Sequence, residues 1–514
     1  MSTETTRRNP ALASVIVGLI LLVFYLLLPG RNHDGDALKQ AQLHLTPPHI
    51  DAVNHPYNQL PFWAWLKAAP ASVVGSLEPR MNWMAALNSV LGAAAAALSV
   101  RWLLAHGVRP LVASLVGLTL GLSNAWFYHS TQVTEPMLAQ FIFLLALLAA
   151  DSRRHPDWLW AALAGGVWAA SVAAYQSFAL AGPGVLVLIA QDRRRALGWL
   201  LGAGIVGTSL FSLAAILRGA NSMGGIIGYL TDKPDGEWWG RWTLGAVGQL
   251  PIALAQAIAP PWPTYSWPGL RVGWTQLGPV LRGLLIFQVL VTVLAVGFAW
   301  SKLPWRNQTR TVLGLVLVLG LALFAPYYLK PYYNKLWLLP LSAAALLAGL
   351  GLQEMRRPVA GLVAFLSLML VANTPRVYLM FSRPHPEAVA TIAALETSLQ
   401  PNDLLICDGW DRSLNFSARH PERDVFRVVS ELGGPANLER RCQQAFQRGG
   451  RVFVLGLLEL TETGWNGATD ANKRSGRLTF ADVQHYRPRA KLVWLGKDRG
   501  VGGDLYEILP APAP

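Results

Sequence analysis

Charge is scarce in this sequence. Only 14% of its 514 residues are Asp, Glu, Lys or Arg, where soluble domains carry about 25%. Hydrophobic residues make up 53%, and the mean hydropathy is +0.33. That balance excludes a soluble enzyme, a disordered chain and a coiled coil. Cysteine is scarce too: two residues, Cys407 and Cys442, which excludes a disulfide scaffold and an all-cysteine zinc site. Acidic residues are fewer than basic ones, 29 against 43, leaving a formal charge of +14. Its location decides its meaning. Residues 376–514 hold 18 Lys/Arg and 16 Asp/Glu, so the first 375 hold 25 and 13. The excess lies among apolar runs, where loop arginines orient membrane helices, and nucleic acid is not an expected partner.

A bilayer core about 30 Å thick needs about 20 apolar residues per helix. Arg7 and Arg8 precede an apolar run, 11–28, that ends at Pro29-Gly30 with no small-x-small cleavage site, so a retained first helix is expected. Further runs lie near 82–104, 108–126, 134–150, 158–174, 178–190, 196–217, 279–300, 311–327, 336–352 and 358–374. Alternate connections are basic: Arg101 and Arg109, Arg153 and Arg154, Arg193 to Arg195, Lys302 with Arg306 and Arg310, Arg356 and Arg357. The expectation is a polytopic α-helical membrane protein of about eleven spans, N-terminus inside and C-terminus outside.

Two domains follow: a transmembrane domain, 1–375, with long outer loops 31–80 and 218–278, and an extracytoplasmic α/β domain, 376–514. In the tail, strands are expected at 403–407, 452–460, 491–495 and 505–509, with a helix over 436–448. An exterior location suits a Cys407–Cys442 disulfide; two buried thiols fit the residues equally well.

Three outer stretches carry chemistry. The first holds Asp34 and Asp36 directly after the first helix, then His44, His49 and His55-Pro56. Two carboxylates at that depth can deprotonate an acceptor or bind a divalent cation; alternatively Asp34 caps a helix starting near Ala37. The second runs from Trp126 to Glu135-Pro136, where a glutamate at a helix lip is functional, or is simply favoured by the helix dipole. The third, Tyr327 to Trp337, places Lys330 and Lys335 on the side where positive charge is disfavoured. They can hold a phosphate, or snorkel beside an aromatic belt. Loop 218–278 is rich in Trp, as a lid over sugars or an interfacial anchor would be.

Taken together, these stretches resemble the GT-C superfamily of integral-membrane glycosyltransferases, most like bacterial relatives of the protein mannosyltransferases and aminoarabinose transferases. Asp34, Asp36 and His55-Pro56 match the acidic and His-Pro elements of the first loop. Trp126 to Glu135 matches the aromatic-to-Glu stretch, and Tyr333, Lys335 and Leu339-Pro340 the late turn. Here the acidic element is Asp-Gly-Asp and the His-Pro-Pro element is split, two departures from the family pattern.

The resemblance implies transfer of a sugar from a polyprenyl-phosphate donor to a lipid, glycan or protein acceptor at the outer face of a bacterial inner membrane. It implies Asp34 as general base, Lys335 and Lys330 facing the leaving phosphate, and Asp36 and Glu135 orienting the acceptor or sharing a cation. His55 and Tyr333 would contact substrate. Any metal held by oxygen ligands would be magnesium or manganese rather than zinc. The other readings are a polysaccharide ligase or polymerase, for which Arg218, Arg241 and Arg271 speak, a lipid-linked glycan transporter, and a scaffold displaying the tail. A transporter would carry ionisable residues inside its spans, where this sequence has almost none.

Overall fold

A computed structural model describes residues 10–31, 38, 56–57, 59–150, 157–190, 193–231, 244–259, 274, 278–328, 334–384, 386–408, 411–428, 434–462, 465, 478–496 and 503–510. The chain forms two compact units, one of Met1–Arg31, Thr46–Pro70 and Asn82–Ser382, the other of Asn32–Leu45, Ala71–Met81 and Arg383–Pro514.

The first unit is helical. Its main elements are α1 (Pro10–Leu27), α2 (Gln59–Lys67), α3 (Leu77–Ala105), α4 (Pro110–Gly121), α5 (Asn124–Thr131), α6 (Pro136–Ala149) and α7 (Trp158–Ala174). Then follow α8 (Gly182–Ile189), α9 (Arg193–Leu217), α10 (Leu244–Ile258), α11 (Pro279–Ser301), α12 (Trp305–Ala322), α13 (Leu338–Gln353) and α14 (Pro358–Asn373). Among the described residues four helices are long and apolar enough to cross a membrane: Leu77–Ala105, Arg193–Leu217, Trp305–Tyr327 and Asn334–Gln353. The protein is a multi-pass membrane protein, with shorter apolar helices packed around those four.

Two features differ from the sequence expectation. The run 108–126 is not one helix; α4 and α5 are bent by 66°. Ser123 adopts extended backbone (φ −65°, ψ 151°), and its hydroxyl turns back to the Leu120 carbonyl at 2.7 Å. A serine that offers the backbone a local partner competes with the helical ladder. Loop 218–278 also contains α10, a helix that its Gly245, Gly248 and Pro251 conceal from pattern reading.

Three of the basic connections meet in this unit. The Arg109 amide donates to Gln353 Oε1 at 2.9 Å, its guanidinium reaches the carbonyls of Gln353 and Met355, and Gln308 Nε2 donates to the His106 carbonyl. Thus the turns near 106–109, 308 and 353–355 are neighbours.

Helices α7 and α9 approach through glycine. A Cβ at Gly202 would overlap the Ala162 carbonyl, and one at Gly165 the Trp199 carbonyl, whereas Gly204 faces open space. Such small-residue seams let backbones pack closely in lipid.

The second unit carries a five-stranded sheet, order β2-β1-β3-β5-β4, built from β1 (Leu404–Cys407), β2 (Asp424–Arg427), β3 (Val452–Leu455), β4 (Ala490–Trp494) and β5 (Leu505–Ile508). The first three pair in parallel and β5 runs against both β3 and β4. Helices α15 (Pro386–Ser398), α16 (Asp411–Arg419) and α17 (Gly434–Gln447) accompany it. The expected α/β pattern is present, with β2 in addition. β3 stops at Leu455 because Gly456 takes φ +68°, a left-handed turn that ends the extended run. Buried Asp403 clamps the β1–β3 edge, accepting from the Gln400 and Arg451 amides at 2.7 Å and pairing with the Arg451 guanidinium at 2.9 Å. Cys407 and Cys442 are buried and not joined in a disulfide; burial pushes the Cys442 thiol up to about 11.

Two predictions arise. Gly202→Leu should separate α7 from α9 and lower the melting temperature in detergent by several degrees, while Gly204→Leu should leave it nearly unchanged. In the tail, burial, with the charge of Asp504 adding to it, raises Glu459 from 4.5 to about 7. A raised carboxyl favours the fold fully below pH 4.5 and loses that contribution as pH rises through 7. Allowing for solvent screening, the loss amounts to roughly 1–2 kcal/mol. Hydrogen exchange of β3 and β5 amides in the full-length protein, corrected for intrinsic rate, should therefore quicken between pH 5 and 8; Glu459→Gln should abolish the trend.

Candidate functional site

The bend between α4 and α5 leaves backbone groups without helical partners in an apolar setting, so side chains must supply them. Asn373 Nδ2 donates to the Leu122 and Ile258 carbonyls at 3.2 and 3.0 Å, and the Tyr378 hydroxyl also donates to Leu122. Asn124 Nδ2 donates to the Gln256 carbonyl of α10. Every residue of α5 is buried. Its aromatic face packs edge-on against Phe24, Tyr25 and Tyr378, and Tyr128 meets Phe381.

Beyond α5 the chain turns through Gln132 to Glu135 into α6. Asn88, on α3, grips this turn: its Nδ2 donates to the carbonyls of Gln132 and Thr134 at 2.7 and 2.9 Å. Ser89 donates to the Ser130 carbonyl, and the Thr131 carbonyl receives the Gly30 amide from the end of α1. The turn is thus held from three sides and presents Glu135 in a fixed place.

Glu135 occupies the N-cap of α6 yet makes no side-chain cap bond to that helix. Its Oε2 lies 3.8 Å from Lys335 Nζ, with the two side chains 11% and 18% exposed. Lys335 sits in a short 3-10 turn, Asn334–Trp337, leading into α13. The two residues that sequence placed on separate stretches therefore form one ion pair. Glu135 makes no side-chain cap bond to α6, and Lys335 is largely covered. His129 joins them. Its buried ring lies 3.1 Å from the hydroxyl of Thr134, the residue directly before Glu135. Sequence reasoning gave His129 no role, because a histidine in an aromatic run reads as core.

The other expected site residues, Asp34, Asp36, His55, Lys330 and Tyr333, lie outside the described residues, as do His44 and His49. No group of three His, Cys, Asp or Glu side chains able to hold a metal forms among the described residues. Of the expected Asp36–Glu135 pair only Glu135 is described, with the Lys335 ammonium as its neighbour.

A buried carbonyl left without its donor costs about 1–3 kcal/mol. Asn88→Ala orphans two carbonyls at once and should destabilise the protein by about 2–4 kcal/mol, read as a lowered melting temperature in detergent; Asn88→Asp, which cannot donate when ionised, should do no better.

No protein-family model and no curated protein matches this sequence. Solved structures do. ArnT from Cupriavidus metallidurans in the apo state aligns with a TM-score of 0.60 at 11% identity, covering 96% of this chain and 97% of that one. The same protein bound to undecaprenyl phosphate gives 0.59 at 12%, covering 98% of each. A protein O-mannosyltransferase complex of S. cerevisiae bound to the sugar donor covers 47% of this chain at a TM-score of 0.33, too low to bear on the fold. Along almost its whole length, the chain shares the fold of these ArnT structures.

Proposed function

We propose that the protein is a glycosyltransferase that moves a sugar from a polyprenyl-phosphate donor to a lipid, glycan or protein acceptor. The reaction would run at the outer face of a bacterial inner membrane, with residues 376–514 in the periplasm. The observation that carries this reading is the Glu135–Lys335 pair, set beside a rigidly held turn in a chain whose fold is shared with a protein crystallised with undecaprenyl phosphate.

The chemistry needs a base on one side of the anomeric carbon and positive charge on the other. Asp34 takes the proton of the acceptor hydroxyl as its oxygen attacks that carbon. The bond from carbon to the phosphate oxygen breaks, and the electron pair leaves on the phosphate. Lys335, with Lys330, faces the negative charge that grows there, and a charge already in place stabilises it without reorganisation. Glu135 holds the Lys335 ammonium in position before substrate arrives. Removing one member of a buried ion pair leaves an uncompensated charge, so Glu135 and Lys335 serve as a unit. Asp36 would orient the acceptor, and His55 and Tyr333 would contact substrate.

The test is sugar transfer from a polyprenyl-phosphate donor pool in membranes, at matched expression. A placed base contributes about 10²–10⁴-fold, so Asp34→Asn should lower turnover by that factor with the protein intact. Lys335→Gln should cost about 10²-fold, as loss of a group stabilising transition-state charge does. Full activity in Asp34→Asn would transfer the base role to Asp36. No transfer by the wild type, with donors present, would leave the transporter reading.

A further inference from the structure

His129 is 3% exposed, and its two ring nitrogens have different surroundings. Nδ1 lies 3.1 Å from Thr134 Oγ1. The Thr134 hydroxyl also donates to the His129 carbonyl at 3.3 Å, in the last turn of α5, where helical donors run out. A hydroxyl has one hydrogen. Given to the carbonyl, it leaves only lone pairs for the ring, so Nδ1 must carry the proton and donate. Asn88 Nδ2, a donor by nature, approaches the same oxygen at 3.5 Å, so Oγ1 accepts on two sides. A neutral imidazole protonated at Nδ1 has a bare lone pair at Nε2. That Nε2 is buried and accepts no hydrogen bond among the described residues.

A buried acceptor without a donor costs free energy in the empty protein. A site can recover that cost when a ligand brings the donor, and it then rejects ligands that lack one. The ring is bonded to Thr134, the residue directly before Glu135, whose carboxylate lies 3.8 Å from Lys335 Nζ, so the lone pair belongs to the neighbourhood of the ion pair. On the reading above, on which this step rests, Lys335 faces the lipid phosphate, and the transferred sugar is bonded directly to that phosphate. We propose that His129 Nε2 accepts a hydrogen bond from a hydroxyl or amino group of the phosphate-linked sugar, and so selects among donors. Thr134 is its positioning residue: it holds the tautomer that keeps Nε2 bare.

The experiment measures binding by the purified full-length protein in detergent. The probes are bare undecaprenyl phosphate and undecaprenyl phosphate carrying glucose, galactose, mannose or 4-amino-4-deoxyarabinose. Wild type should bind at least one sugar-bearing lipid more tightly than the bare one. His129→Asn, whose amide nitrogen can replace Nδ1 but which has nothing at Nε2, should lower that sugar-dependent affinity about 10- to 100-fold, as loss of one buried hydrogen bond does. His129→Gln, which can place an oxygen near Nε2, should keep part of it. Affinity for bare undecaprenyl phosphate should stay within about twofold in both, a check that the protein is folded. Thr134→Val should weaken only the sugar-bearing lipids, and Thr134→Ser should restore them. An unchanged sugar preference in His129→Asn, an equal loss for bare and sugar-bearing lipids, or a wild type with no sugar preference would each overturn the assignment. Lys335→Gln separates the two readings. Bare lipid that fails to bind wild type, or binds Lys335→Gln equally well, defeats the donor reading; bare lipid that needs Lys335 while His129→Asn changes nothing defeats the histidine alone.

Discussion

Inside a bilayer every backbone amide and carbonyl must find a partner within the protein, and the break between α4 and α5 is where that demand is hardest to meet. Ending a helix at Gly121 and restarting at Asn124 exposes carbonyls to an apolar interior. Asn373 and Tyr378 answer for that bend, Asn124 ties it to α10, and Asn88 with Ser89 answer for the turn at the far end of α5. These side chains come from α3, from α5 itself and from the end of α14, so satisfying one break ties together elements distant in sequence. The same ties fix α5, and with it His129 and Glu135.

The two units solve stability by different means. In the membrane unit there is little hydrophobic gain in bringing helices together, since lipid is as apolar as leucine; close backbone approach at Gly165 and Gly202 and the hydrogen bonds of the bent span do that work. The tail buries a sheet in the ordinary way, with Phe453, Ile406 and Val454 in its core, and spends its charges on fixed clamps. Asp403 on Arg451 and Asp424 on Arg441 and Arg448 join neighbouring segments of one domain, which explains why this region is near neutral in net charge yet rich in charged residues.

Much of the fold was legible in the sequence because apolar runs and alternating basic loops are dictated by the solvent, not by tertiary detail. The α/β pattern of the tail was legible for the same reason: Leu404–Cys407 and Val452–Leu455 are short apolar runs bounded by polar turns. What escaped was set by partners. The run 108–126 is apolar throughout, and only Asn373 and Tyr378, far along the chain, make a bend there tolerable. α10 hides behind Pro251 and two glycines, whose cost is met by burial of Ala253, Ala255 and Ala257. At the site, Glu135 and Lys335 stood out as misplaced charges, but nothing local to either could show that each accounts for the other.

That mutual accounting is what turns two ambiguous residues into a site. A glutamate just before Pro136 would find ready donors in the first turn of α6 if a cap were its purpose, and a lysine beside an interfacial aromatic belt would reach toward water. Neither happens. The carboxylate turns from its own helix toward an ammonium, and the ammonium stays largely covered beside it. Bringing both charges out of water costs more than a surface pair returns, so the arrangement is poorly explained by stability. On the proposed function a third charge arrives later: a phosphate anion shares the ammonium, while the carboxylate keeps that ammonium charged and in place until it does.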